Sequence, residues 1–186
     1  MKLSKEQIGN GLWILAIILI LFTPIGFHLR VMLSKLIATS ADTVDVTEQL
    51  TLQDYSWKLV DFEGTGYNFQ SNENQVVLVN FWATWCPPCV AEMPSLVALH
   101  EDYKDTMEFV FVTNEDRARV LEFLRKKNYH LPIYFEASRT PSELVSNSIP
   151  ATYILSKSGK IVVDEKGAAN WNSASTRSLL DSLIAE

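Results

Sequence analysis

Apolar residues in this chain form two kinds of pattern, one long run near the N-terminus and a series of short runs after residue 57. The long run from Gly11 to Phe27 contains no charged residue and predicts a membrane-crossing helix over 11–33. The short runs predict strands at 57–62, 67–70, 76–82, 108–113, 132–135, 151–155 and 160–163, and helices at 87–103, 116–127, 141–145 and 173–184. This alternation, closed by a hairpin, predicts a three-layer α/β sandwich with a mixed central sheet.

The N-terminal run can act as an anchor or as a cleaved signal peptide. Lys2 and Lys5 form the short basic leader that either would have. The nearest small-residue run, 38–41, lies well beyond the apolar stretch, with Arg30 and Lys35 in between, and this favours a retained anchor. We therefore divide the chain into a cytoplasmic N-terminus (1–10), a transmembrane anchor (11–33), a linker (34–51) and a folded domain (52–186).

Composition and charge restrict the partners of the folded domain. The 186-residue chain is 47% hydrophobic and 20% charged, as expected for a globular domain joined to a more apolar segment. Residues 36–186 carry 12 Lys and Arg against 21 Asp and Glu, a net charge of −9. Such a charge disfavours nucleic acid or anionic lipid as a partner.

The two cysteines, Cys86 and Cys89, are the candidate reactive groups. They follow a predicted buried strand, and Pro87 and Pro88 between them suit the first turn of a helix. Cys86 is therefore predicted at a helix N-terminus, where the helix dipole favours the thiolate. Cys89 lies one turn further on and can close a disulfide, so we interpret Cys86 as the attacking thiol and Cys89 as the resolving thiol.

Two other interpretations of the cysteine pair are weaker. A structural zinc site needs four ligands, but the chain has no other cysteine, and its three histidines lie far apart in sequence. A structural disulfide closing so short a loop would constrain the unfolded chain little. Redox function is therefore favoured, with no cofactor and no metal. A dithiol tethered to a membrane fits an oxidising compartment, so we expect the domain on the outer face of the cytoplasmic membrane.

Several motifs in order resemble the thioredoxin superfamily. They are VNFWATWCPPC at 79–89, EMP at 92–94, IPATYIL at 149–155 and SGKIV at 158–162. More narrowly, roughly residues 52–186 resemble the membrane-anchored TlpA/ResA-like thiol-disulfide oxidoreductases of bacteria. The resemblance implies a thioredoxin-like fold and dithiol–disulfide exchange, and we expect a monomer.

The resemblance also implies roles for residues outside the cysteine pair. It implies a cis bond between Ile149 and Pro150 beside the cysteines, with the Ile149 backbone pairing with a client peptide. Apart from the resemblance, Trp82 and Trp85 flank the cysteines, and we expect one to fill the core and the other to cover the cysteines and contact clients, a role that we assign to Trp85. Thioredoxin's buried aspartate is replaced here by Asn80, which cannot take a proton. The resemblance assigns acid–base support to Glu92 instead, the alternative being an ordinary solvated carboxylate.

The expected function is reduction of disulfides in exported proteins, including apocytochrome c before haem attachment. The Pro-Pro pair lacks the histidine that stabilises the reduced thiolate in strongly oxidising relatives, and this favours a reductant. A membrane partner would supply electrons, because no Gly-rich nucleotide-binding loop occurs in the sequence. A tethered peptide-binding or chaperone module is the alternative, as is a disulfide oxidant or isomerase. A thiol peroxidase is disfavoured by the Pro-Pro-Cys context.

Overall fold

The computed structural model describes residues 5–186, within which seven strands form one mixed sheet in the order β2-β1-β5-β4-β3-β6-β7. The strands are β1 Lys58–Val60, β2 Gly66–Asn68, β3 Val77–Phe81, β4 Glu108–Val112, β5 Ile133–Glu136, β6 Ala151–Leu155 and β7 Ile161–Lys166. The helices are α1 Lys5–Phe22, α2 Pro24–Ile37, α3 Pro87–Tyr103, α4 Arg117–Lys127 and α5 Ala174–Ala185. Strands β3, β4 and β5 are parallel, and the other pairings are antiparallel. The predicted mixed α/β sheet is confirmed.

Helices α3, α4 and α5 lie on one face of the sheet. Leu96 of α3, Val120 of α4 and Leu180 of α5 belong to one buried cluster. Right-handed crossovers explain why α3 and α4 share a face, because the chain steps from β3 to β4 to β5 in one direction across the sheet. The opposite face is covered by short segments, including the 3-10 turns Phe69–Asn72 and Ser142–Leu144. The second outer layer therefore contains a 3-10 turn where the sequence pattern suggested a helix at 141–145. The strand predicted at 67–70 is present as β2, but it ends at Asn68 and continues into the other 3-10 turn.

The N-terminal hydrophobic run forms two helices where one was predicted over 11–33. The helices α1 and α2 meet at 76°. Pro24 explains the break, because it lacks an N–H for the Ile20 carbonyl and its ring would clash with that carbonyl in a continuous helix. Thr23 instead caps α2, its Oγ1 accepting a hydrogen bond from the Gly26 N–H at 3.2 Å.

Glycine is required at position 26 by the close approach of the two helices. A Cβ atom there would lie 2.1 Å from the carbonyl oxygen of Ile20. The Arg30 side chain also crosses the bend, and its Nη2 donates to the Leu21 carbonyl at 3.3 Å. Within the described residues, no helix by itself has the length and apolar composition to cross a membrane, whereas α1 and α2 taken together as a bent pair do.

The polar segment predicted as a linker is bonded to the folded domain. The Val44 N–H donates to the Val162 carbonyl at 2.9 Å, and the Ile161 N–H donates to the Leu50 carbonyl at 2.8 Å. Nearer to the helices, the Thr39 carbonyl accepts from the Asn170 N–H at 2.7 Å. Helix α2 itself lies against α3. The segment therefore runs along β7 and is not a free tether between the N-terminal helices and the domain.

Candidate active site

The two cysteines lie where strand β3 passes into helix α3, and they form a disulfide. Cys86 is the N-cap of α3, Pro87 begins the helix, and the Cα atoms of Cys86 and Cys89 are 5.3 Å apart. The Cys86 sulfur accepts a hydrogen bond from the Cys89 N–H at 3.2 Å. Cys86 is 3% exposed and Cys89 is fully buried, so an incoming sulfur meets Cys86 first. Within the described residues, no group of three or more His, Cys, Asp or Glu side chains is arranged to hold a metal ion.

The turn before Cys86 is held by an acidic residue that sequence reasoning missed. The Glu115 carboxylate accepts hydrogen bonds from the backbone N–H of Thr84 and from its hydroxyl, the latter at 2.9 Å. Glu115 follows β4, the parallel neighbour of β3, so both strands deliver residues to the same edge of the sheet. The sequence signal that could have identified Glu115 is its position as an acidic residue just after a parallel strand.

The two tryptophans that flank the cysteines have different surroundings. Trp82 is buried and its ring lies 5.6 Å from that of Phe123. Trp85 is 61% exposed. It lines a cleft of about 210 Å³, together with half-buried Ile149 and Phe81. Trp82 therefore fills the core, and Trp85 is available to a protein that approaches the disulfide.

The peptide bond between Ile149 and Pro150 is cis, as the resemblance implied. The carbonyl oxygen of Ile149 lies 3.7 Å from the Cys86 sulfur. Pro150 is buried, and its own carbonyl accepts from the Gly167 N–H at 3.0 Å. The loop before β6 therefore brings backbone groups next to the more accessible sulfur.

Glu92 is buried beneath this site, and its 1% exposure excludes the solvated-carboxylate alternative. Its Oε1 accepts from Asn80 Nδ2 at 2.9 Å, and its Oε2 accepts from Trp171 Nε1 at 2.9 Å and from the Ala169 N–H at 3.3 Å. Burial raises the pKa of Glu92 to about 7, although these three hydrogen bonds act in the opposite direction. A carboxyl with this pKa, one turn from Cys89, can take up or release a proton near neutral pH.

Asn80 connects Glu92 to the sheet. Its Nδ2 also donates to the Thr152 hydroxyl at 2.7 Å, so β3, β6 and α3 share one buried polar network. The Asn80 Oδ1 atom is buried and has no hydrogen-bond partner among the described residues. Sequence reasoning identified Asn80 and Glu92 but missed Thr152 and Trp171.

Comparison with known proteins places the chain in a family. The sequence model of the AhpC/TSA family matches residues 45–164. The chain is 30% identical over 154 residues to the thioredoxin-like protein YneN of Bacillus subtilis, covering 80% of this chain and 86% of YneN. It is 30% identical over 113 residues to the thiol-disulfide oxidoreductase ResA of Halalkalibacterium halodurans, covering 59% of this chain and 64% of ResA. That match spans just under two thirds of the length of ResA.

Solved structures agree with the family match. A protein from Bacteroides vulgatus assigned as a thiol-disulfide oxidoreductase superposes with a TM-score of 0.57 and 25% identity, covering 72% of this chain and 96% of that chain. A secreted Mycobacterium tuberculosis disulfide oxidoreductase homologous to DsbE superposes with a TM-score of 0.55 over 70% of this chain and 96% of that chain. At 21% identity the second likeness shows the fold alone. The chain therefore belongs to the AhpC/TSA family, and it is a thioredoxin-like thiol-disulfide oxidoreductase with sequence similarity to proteins named ResA.

Proposed function

We propose that this chain is a membrane-tethered enzyme that reduces disulfides of exported proteins. The observation that carries the proposal is the arrangement of Cys86 and Cys89. One sulfur lies near the surface at a helix N-terminus, the other is fully buried, and a buried carboxyl lies one turn further along the helix. This order of accessibility suits a reaction in which the first sulfur attacks and the second resolves.

In the reduced enzyme, the Cys86 thiolate is stabilised by the positive end of α3 and by the Cys89 N–H. It attacks one sulfur of a client disulfide, a bond forms between the two sulfurs, and the client's other sulfur leaves as a thiolate that takes a proton. Cys89 then gives its proton to the Glu92 carboxylate and attacks the Cys86 sulfur. The mixed disulfide breaks, and the client's second sulfur leaves as a thiolate that takes the proton held by Glu92, which returns to its carboxylate form. Two electrons have then passed from the enzyme to the client, together with one proton from Cys89 by way of Glu92 and one proton from water.

The client is proposed to bind across Trp85 and Ile149. The Ile149 carbonyl lies 3.7 Å from the Cys86 sulfur, so an extended client chain paired with this backbone would bring its own sulfur within reach. The cleft between the two residues can receive an apolar side chain beside the client cysteine. Apocytochrome c, the client that the family resemblance implies, is the first natural client to test.

The membrane anchor and the source of electrons are also part of the proposal. The exposed apolar side chains of α1 and α2 support insertion of this region into lipid. We place the catalytic domain on the extracytoplasmic face, where disulfides form and persist. A membrane protein carrying its own dithiol would then reduce the Cys86–Cys89 disulfide after each cycle, and the enzyme would work as a monomer.

The reduction potential of the Cys86–Cys89 pair tests the direction of electron flow. The full chain in detergent is equilibrated in dithiothreitol or glutathione buffers, and free thiols are counted by alkylation. A potential near that of thioredoxin, about −270 mV, is expected for a reductase. A potential near −120 mV would make the protein an oxidant. If the pair failed to cycle between dithiol and disulfide, redox function itself would be refuted.

A peptide-binding or chaperone function is the second candidate, and the exposure of Trp85 beside the cleft favours it. Replacing Cys86 with serine separates the two functions. A reductase loses all turnover in Cys86→Ser. Cys89→Ser is the matched variant for comparison, because it removes the other cysteine and keeps the attacking thiol. A chaperone keeps client binding and its cellular phenotype in both variants.

A further inference from the structure

The segment that follows β7 is fastened to the active-site helix. Trp171 is fully buried, and its indole N–H donates to Glu92 Oε2 at 2.9 Å. Its backbone N–H donates to Ser95 Oγ at 3.2 Å, and that hydroxyl donates to the Glu92 carbonyl at 2.7 Å. Ala169 adds a backbone N–H to the same carboxylate oxygen at 3.3 Å. The carboxylate is therefore held from the far end of the chain as well as by its own helix.

The donors on the two carboxylate oxygens differ in kind. Asn80 Nδ2 donates one hydrogen bond to Glu92 Oε1 and a second to the Thr152 hydroxyl. The indole nitrogen of Trp171 carries a single hydrogen, which points at Oε2 from a ring that the core holds in place. An indole cannot accept a proton or rotate to offer an acceptor, so this contact favours the ionised carboxylate over the neutral acid.

The other groups around Glu92 do not replace this contact. Glu165 on β7 acts on the carboxylate as a like charge and raises its pKa, and the two cysteines lie within two turns before it on α3. Asn80 on β3 contacts Glu92, and Thr152 on β6 is joined to it through Asn80; both side chains are neutral. Without the Trp171 donor, only Asn80 and the Ala169 N–H would therefore oppose the effects of burial and like charge on the carboxylate.

We propose that Trp171 is a positioning residue that sets the pH range in which Glu92 exchanges a proton with Cys89. This inference rests on the proposed function, because it assumes that Glu92 assists the resolving cysteine. A hydrogen bond to a charged group is worth enough to move a titration midpoint by about one pH unit. Trp171 thus acts on the reaction through Glu92, from 79 residues away in sequence.

A direct test follows the indole N–H signal of Trp171 in the oxidised full chain by ¹⁵N NMR between pH 5 and 9. In this form the disulfide-bonded cysteines do not titrate. The Trp171 signal should titrate with the midpoint of Glu92, and this titration should vanish in Glu92→Gln. The indole of Trp57 is the internal control, because it is buried without a hydrogen-bond partner among the described residues. A Trp171 signal that stays constant across this range would overturn the inference.

The kinetic test measures kcat/KM for insulin reduction against pH, with dithiothreitol as electron source. Trp171→Phe keeps most of the ring volume and should move the Glu92-dependent midpoint up by about one pH unit. Trp57→Phe is the matched control and should leave the midpoint unchanged. If Glu92→Gln removes the midpoint but Trp171→Phe leaves it in place, the role of Trp171 is wrong. If Glu92→Gln also leaves it in place, the proposed role of Glu92 fails instead.

Discussion

Replacing Glu92 with glutamine should abolish a strong pH dependence of stability. The pKa of this carboxyl is about 7 in the folded protein, against an ordinary value of 4.5. The folded state therefore binds the proton more tightly than the unfolded state, and the free energy of unfolding falls as pH rises from about 4.5 to about 7. With 1.36 kcal/mol per pKa unit, the loss amounts to about 3 kcal/mol and is complete above pH 7.

Glutamine keeps the shape of the side chain and carries no charge, so it avoids this loss. Its amide oxygen can accept from Trp171, and its NH₂ group can meet the Asn80 Oδ1, which lacks a partner in the wild-type protein, once that amide turns over. We expect Glu92→Gln and wild type to have similar stability near pH 4.5. At pH 8 the variant should be more stable by about 3 kcal/mol.

The assay is urea unfolding of the oxidised full chain in detergent, followed by circular dichroism at several pH values. Oxidation removes the cysteines from the titration. His100, whose pKa is lowered mainly by burial, contributes a slope of opposite sign, but it is present in both proteins and cancels in the comparison. Glu48→Gln, an exposed substitution in the linker, is the control and should follow wild type. Parallel pH profiles for wild type and Glu92→Gln would refute the reasoning.

Three further predictions concern other parts of the molecule. Cys89→Ser should trap clients as mixed disulfides on Cys86, visible on non-reducing gels and absent when Cys86 is replaced as well. Glu115→Ala should leave the Thr84 N–H without its acceptor and lower the free energy of unfolding by about 1–3 kcal/mol in urea titrations, whereas an unchanged value would show that water replaces the carboxylate. Gly26→Val should open the bend between α1 and α2, lengthening the distance between spin labels on α1 and α3 in nanodiscs; an unchanged distance would contradict the steric argument.

Local sequence signals were sufficient to predict the secondary structure of much of the domain. The apolar run before Cys86 predicted β3 because a strand buried on both faces has no polar alternation. Pro87 predicted the start of α3 because proline suits a first helical turn. The cis bond before Pro150 could not be predicted from local sequence alone, because a trans bond is favoured before most prolines. The order of the family motifs made the prediction possible.

The missing parts of the site depend on contacts between distant residues. Trp171 meets Glu92 across 79 positions, and Glu115 meets Thr84 across 31. The position of Glu115 after a strand marks it as a candidate, but neither periodicity nor spacing identifies the partner in either pair, because the contacts form only when the sheet brings separate segments together. The prediction of a single N-terminal helix was wrong for a local reason. It followed the high average hydropathy of the stretch and overlooked Thr23, which is a signal for the start of a new helix.

The bonded linker has a consequence for how the enzyme meets its partners. A free 18-residue tether would let the catalytic domain move about 25 Å from its attachment point, within a volume above the membrane. With Thr39, Val44 and Leu50 bonded to the domain, a domain anchored through α1 and α2 as proposed above would be confined to a narrow layer at the bilayer surface. Encounters with the proposed membrane electron donor would then be collisions in two dimensions at a fixed height, whereas soluble clients would have to diffuse to the enzyme.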